Sequence, residues 1–176
     1  MIQTASFDPK VLKEATTHVG KSLEDHSMES PILLVFLRHL GCTFCRETLS
    51  DIQAKRESLR AKGIQPIFVH MSSDQEAEPI LKKYALADAP RISDPERKFY
   101  RAFGLQRGKI LEVLGPKVWL RGFLSAIIEG HGFGKVRGDA FQLPGVFLIH
   151  KGQIVKDFRH KTAADRPDYT RFETSS

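Results

Sequence analysis

Apolar positions fall into a few short blocks separated by amphipathic stretches, and the order of these blocks sets the expected architecture. Ile32 to Leu37 is a nearly unbroken apolar run rich in branched residues, as expected of a strand buried on both faces of a sheet. Arg46 to Lys62 then carries Leu49, Ile52 and Leu59 at roughly helical spacing, and Gly63 supplies a C-cap. Ile64 to Met71 reads as a second buried strand. Strand, helix and strand make a βαβ unit, whose handedness places the two strands parallel with the helix on one face.

The flanking regions are less regular. Residues 1–30 are mixed, with a short helix expected over Asp8–Thr17 and a polar approach over Gly20–Glu29. Pro31 leads into the first strand, where its missing N–H does least harm. Ser72, Ser73 and Asp74 offer caps for a helix reaching about Leu86, and Pro79 requires that it begin late or bend. Pro90–Ser93 is extended, and Asp94–Phe103 is helical, closed by Gly104. Gly145–His150 and Gln153–Phe158, joined by Lys151-Gly152, form a β-hairpin. A last helix is expected around Tyr169–Glu173.

Residues 105–141 break this rhythm. Glycines at 108, 115, 122, 130, 132, 134 and 138 flank an apolar cluster from Val118 to Ile128 that reads as an amphipathic helix. Either it packs on the same domain or it serves as a lid or subunit interface. His131, set among glycines, is either an ordinary loop residue or a pocket residue.

Composition narrows the class. The 176 residues suffice for a single domain, 1–176, with 105–141 as an insertion, and for a core that needs no disulfide staples. The chain is 41% apolar and 27% charged, with a formal charge of +6. The basic residues are spread and mixed with acids, which argues against nucleic-acid binding. No apolar run approaches bilayer length, and the first residues lack the features of a signal peptide, so a cytoplasmic location is expected, with no membrane association.

Against that background the only two cysteines, Cys42 and Cys45, stand out. They follow the first strand after a turn containing Gly41, with Cys45 expected in the first turn of the next helix, where unpaired N–H groups and the helix dipole stabilise an anion. Cys42 is expected to be the reactive thiolate. Residues three apart on a helix lie about 5–6 Å apart, within disulfide range, so Cys45 can resolve what Cys42 attacks. A cation at Arg38 or His39 would favour the thiolate further; solvation of each side chain is the alternative. Arg46 has a weaker claim, because a cation is unfavourable at a helix N-terminus. Thr43 either caps the helix or donates to a sulfur. A metal would need two further ligands, and no second pair with ligand spacing exists; no cofactor is called for.

The order of elements resembles the thioredoxin fold, an α/β class with a three-layer α/β/α sandwich, a central mixed sheet and here a helical insertion before the C-terminal hairpin. Phe36-Leu-Arg-His-Leu-Gly-Cys-Thr-Phe-Cys-Arg-Glu47 more closely resembles the active-site signature of peroxiredoxin-like proteins of the alkyl hydroperoxide reductase and thiol-specific antioxidant (AhpC/TSA) superfamily. Ser93–Leu105 and Gln142–Val155 are similar to its strand-to-helix segment and its hairpin. The resemblance covers about residues 30–160. It implies that Pro144 is a cis-proline facing the redox site. The Pro-x-x-x-Thr-x-x-Cys pattern of typical peroxiredoxins is absent. Counting back from Cys45 puts Cys42 at the threonine position, and counting back from Cys42 puts His39 there.

The expected function is therefore a thiol-disulfide oxidoreductase or peroxiredoxin-like antioxidant protein acting on disulfides or hydroperoxides, reset by a dithiol or glutathione, with a homodimer compatible. The alternative is a non-catalytic redox sensor switched by the Cys42–Cys45 disulfide.

Overall fold

A computed structural model describes residues 8–38, 40, 42–109, 115, 116, 139 and 141–172. Five strands form one mixed sheet: β1 (Ile32–Phe36), β2 (Gln65–His70), β3 (Arg91–Ser93), β4 (Gly145–His150) and β5 (Gln153–Arg159), in the order β3-β2-β1-β4-β5. β1 runs parallel to β2, with Leu34 opposite Ile67, and β2 parallel to β3. β4 is antiparallel to both β1 and β5, with Phe36 opposite Gly145. Every residue of β1 is buried, as its unbroken apolar run requires of the central strand.

Alternation along the strands sorts the core onto two faces. Leu33, Val35, Phe68, Val146 and Leu148 pack on one side with helices α3 (Thr43–Ala54), α4 (Arg56–Ala61) and α5 (Asp74–Lys83). Ile32, Leu34, Phe36, Ile67, Val69 and Phe147 pack on the other with α1 (Lys10–Glu14), α2 (Leu23–Glu29) and α6 (Lys98–Ala102). That second face holds an aromatic knot in which Phe36 meets Tyr100 edge-on at 5.0 Å and Phe103 lies 5.0 Å from Phe147. This is the three-layer sandwich around a mixed sheet that the order of elements implied.

Several boundaries differ from the sequence expectation. The helix read from the periodicity of Arg46–Lys62, with Cys45 in its first turn, starts at Thr43 and does hold Cys45 in that turn, but it is divided at Lys55 into α3 and α4. Gly63 adopts φ +68° and closes it as expected. Pro79 does not delay α5: Ser73 lies in extended backbone before Asp74, and its N–H donates to the Glu76 carboxylate at 3.3 Å, fixing the start well before the proline. The polar stretch after Gly20 contains α2, capped by Ser22 and closed over the buried His26 and Ser27. α6 is shorter than the expected Asp94–Phe103 because Arg97 sits at φ 59° and keeps 95–97 out of the helix. The hairpin turn has φ 51° at Lys151 and 72° at Gly152, the two positive angles of a type I′ turn. Tyr169–Phe172 is a single 3-10 turn.

Of the expected insertion, residues 105–109, 115, 116, 139 and 141 are described. The chain leaves and returns as a narrow ladder: Gly108 N–H donates to Phe141 O at 2.7 Å and Leu143 N–H to Gln106 O at 3.1 Å. Asp139 pairs with both Arg97 and Arg107 at this neck, and the buried Gln142 amide donates to Leu105 O and Gln106 O. The expected helix over 118–128 and His131 lie outside the described residues.

Candidate active site

β1 delivers the chain through Leu37 and Arg38 to Cys42, which is the N-cap of α3. Its backbone is extended, at φ −77° and ψ 129°, and its carbonyl accepts from Arg46 N–H at 3.1 Å. N-cap geometry turns the side chain back over the open N–H groups of the first turn, normally to the benefit of a Ser, Thr or Asp oxygen. Here the N-cap side chain is a thiol and makes no capping hydrogen bond, but the N–H groups of Phe44 and Cys45 favour its charged form and Arg38 Nη1 lies 3.8 Å from Sγ.

Both cysteines are free thiols, at 7% and 3% exposure. Cys45 Sγ accepts from the Arg38 backbone N–H at 3.1 Å. A hydrogen bond from the Cys45 side chain, opposed by burial but joined by the Arg38 guanidinium and the two N–H groups, lowers the Cys42 thiol from 9.0 to about 6. At neutral pH Cys42 is therefore largely a thiolate. Arg38 itself is buried, at 7% exposure, so its attraction for that charge is weakly screened. His39 and Gly41 lie outside the described residues.

The family model described as "AhpC/TSA family" matches residues 9–158. The chain belongs to the AhpC/TSA family. Its relatives include a prostamide/prostaglandin F synthase of Danio rerio, 26% identical over 94% of this chain and 84% of that protein. A human peroxiredoxin-like 2C is 30% identical over 72% of this chain and 59% of the relative. Among solved structures, peroxiredoxin Q of Xanthomonas campestris superposes with a TM-score of 0.59 at 18% identity, covering 85% of this chain and 80% of that one. A thiol peroxidase from Chromobacterium violaceum gives 0.58 at 14%, covering 90% and 78%. At such identities the structural likeness establishes the thioredoxin-like peroxiredoxin fold.

Two expectations for this AhpC/TSA site need correction. The Leu143–Pro144 bond is trans, since no described peptide bond is cis. The neck ladder engages Leu143 N–H, and Pro144 O accepts from His160 N–H at 3.3 Å, so both neighbours of that bond are satisfied in the trans form that X–Pro favours anyway. Pro144 still lies at the end of the sheet where β1 finishes, because Gly145 pairs with Phe36. Thr43 does not cap α3; it is the first helical residue, buried at 4% exposure, one position after the N-cap residue Cys42.

The structure brings together Arg38, Cys42 and Cys45, and adds groups that sequence reasoning passed over. Phe44, between the cysteines, packs on Ala163 and Ala164 of the C-terminal segment. Glu47, at 3% exposure, pairs with Arg166 at 3.1 Å, and Arg166 also grips Asp51 at 2.6 Å. Arg46 lies near Tyr84, whose phenol burial raises and Arg46 lowers. Tyr100 is fully buried, and its hydroxyl donates toward Leu37 O and, at 3.1 Å, Val69 O. Burial drives its phenol well above the ordinary range, and the Cys45 thiol adds to the shift, so the two are close. A helical apolar pattern disguised Tyr100 as core. The one available signal was Asp94, a capping residue just ahead of it.

Among the described residues no group of three or more His, Cys, Asp or Glu is placed to hold a metal ion, and no helix is long and apolar enough to cross a membrane.

Proposed function

We propose that this single thioredoxin-like domain is a thiol-dependent oxidoreductase that uses Cys42 as nucleophile and Cys45 as resolving thiol. The observation that carries the reading is the Cys42 sulfur at the N-cap of α3, lowered to about 6 by Cys45, Arg38 and the first-turn N–H groups. With a hydroperoxide, the thiolate attacks the terminal oxygen and the O–O bond breaks. The alcohol or water leaves with a proton, and Cys42 becomes a sulfenic acid. Cys45 then attacks that sulfur, water departs and the Cys42–Cys45 disulfide forms. With a disulfide substrate, the thiolate attacks sulfur instead and Cys45 releases the product thiol. A dithiol or glutathione returns two electrons to the pair.

Membership in the AhpC/TSA family and the peroxiredoxin-like relatives support peroxide as oxidant and a thiol as reductant. In the roles proposed, Arg38 holds the thiolate, Thr43 walls the first turn and Pro144 borders the approach at the end of β1. The test is turnover of hydrogen peroxide and of glutathione disulfide, with dithiothreitol as reductant, by wild type and Cys42→Ser. Loss of both activities is expected, and undiminished turnover by the variant overturns the reading. Faster oxidation of the wild-type thiols by peroxide than by glutathione disulfide at equal concentration identifies a peroxidase.

A further inference from the structure

The aromatic knot on one side of the sheet and the cysteines on the other meet at a single peptide group. Leu37 C=O and Arg38 N–H belong to the same peptide unit, at the point where β1 ends. On the carbonyl side, the Tyr100 hydroxyl donates to Leu37 O, the nearer of its two acceptors. On the amide side, Arg38 N–H donates to Cys45 Sγ at 3.1 Å. Cys45 in turn hydrogen-bonds Cys42. The order is thus phenol, carbonyl, amide, resolving thiol, nucleophilic sulfur.

Two features hold the phenol in place. Asp94 accepts from Lys98 and Phe99 N–H, each at 2.8 Å, and from Tyr100 N–H at 3.3 Å, which pins the first turn of α6. The Tyr100 ring stands edge-on against Phe36, in the strand that leads to the peptide. Hydrogen bonds in a chain polarise one another, and most strongly where the surroundings are dry. A donor on the carbonyl makes the amide N–H a stronger donor, and a sulfur that accepts that bond becomes a stronger donor through its own S–H.

We propose that Tyr100 is a positioning residue of the dithiol site, acting through the Leu37–Arg38 peptide to strengthen the hydrogen bond that Cys45 gives the Cys42 thiolate. This rests on the dithiol reading above. Its consequence is redox poise: the relay stabilises the reduced pair and makes the disulfide more oxidising, since favouring the thiolate favours the reduced form.

The experiment equilibrates the protein with glutathione and glutathione disulfide. The Cys42 thiolate attacks one sulfur of glutathione disulfide and expels a glutathione thiolate. Cys45 then attacks the Cys42 sulfur of the mixed disulfide and expels the second. Two electrons pass to glutathione; the Cys45 proton goes to one released thiolate and the other takes its proton from water. Tyr100→Phe keeps the ring and removes the donor. It is expected to shift the equilibrium about threefold toward the protein disulfide, a potential about 14 mV more negative. Phe103→Leu, which loosens the same aromatic knot without touching the relay, is expected to leave the constant unchanged. A Tyr100→Phe constant equal to wild type, or an equal shift in Phe103→Leu, overturns the proposal. Should Tyr100→Phe fail to fold, 3-fluorotyrosine incorporated in a Tyr84→Phe, Tyr169→Phe background gives a stronger phenol donor at position 100. It is expected to shift the constant the opposite way, and no shift overturns the relay. Failure of the wild type to form any Cys42–Cys45 disulfide defeats the dithiol reading itself. A disulfide that forms with a constant indifferent to Tyr100 defeats the relay alone.

Discussion

Arg38 engages both sulfurs of the pair by different atoms, its backbone N–H on Cys45 at 3.1 Å and its guanidinium 3.8 Å from Cys42. One residue at the end of β1 thus sets the electrostatics of the nucleophile and the orientation of the thiol that follows it. The backbone contact survives substitution of the side chain, so the two contributions are separable.

Alkylation of Cys42 by iodoacetamide is expected to follow a thiolate midpoint of about 6 in wild type. Arg38→Met raises that midpoint by removing the cation and slows alkylation at neutral pH. Cys45→Ala raises it further, because the Cys45 hydrogen bond is the largest influence on Cys42 and the guanidinium a smaller one. The pH dependence of the alkylation rate in the three proteins checks the order.

The same lowered thiol makes the stability of the reduced protein depend on pH. Between about 6, the native value, and 9.0, the ordinary value from which it is lowered, the unfolded chain carries a proton that the native chain does not. Stability is therefore expected to rise with pH across that window, by at most about 1.4 kcal/mol per pH unit, and to lose this contribution as pH falls through 6. Cys42→Ser removes the slope. Urea unfolding of both reduced proteins at several pH values measures the difference.

Gly145 is required by its neighbour. A Cβ there would stand 2.6 Å from Leu105 Cδ2, far inside van der Waals contact. Gly145→Ala is expected to cost about 1–3 kcal/mol, the usual range for overpacking a filled core. Adding Leu105→Ala relieves the clash, so the double variant is more stable than the sum of the two single losses predicts. A double-mutant cycle by chemical denaturation tests the coupling.

Arg166 fastens the C-terminal segment to the helix that carries the cysteines, through the buried Glu47 and the partly buried Asp51. Arg166→Ala is expected to lower stability by about 1–3 kcal/mol, chiefly through the weakened compensation of a buried carboxylate. Cleavage by a protease after Lys161 becomes faster as the segment loosens. Glu47→Gln restores part of the stability in the Arg166→Ala background, because the neutral amide has no charge to compensate.

Much of this fold is legible in the sequence for a simple reason. β1, β2 and the hairpin are apolar blocks bounded by proline, glycine or a two-residue turn, and such blocks have few alternatives in a sheet. The cysteine pair at the strand-to-helix turn is legible on the same grounds. The start of α3 is legible to within its first turn, where Cys45 is expected and found, although the cysteine at the N-cap replaces the oxygen-bearing residues that usually announce a helix. Pro79 misleads because a helix whose first turn is secured at Ser73 and Glu76 tolerates one missing donor further on. Tyr100 is invisible because its hydroxyl binds carbonyls 63 and 31 residues away in sequence, a relation that no local pattern encodes. The buried pairing of Glu47 with Arg166 has the same long-range character.

The neck at Gly108 and Phe141 has an architectural consequence. There the two ends of the excursion meet one hydrogen bond apart, between α6 and β4, with Asp139 clamping Arg97 and Arg107 beside the junction. To the rest of the fold, the excursion from 109 to 140 is a ring already closed. Doubling the length of such a ring costs only about 0.6 kcal/mol of closure entropy. A change of length there falls outside the junction, which Asp139 and the two ladder hydrogen bonds hold, and so adds little to what the five-stranded frame must offset.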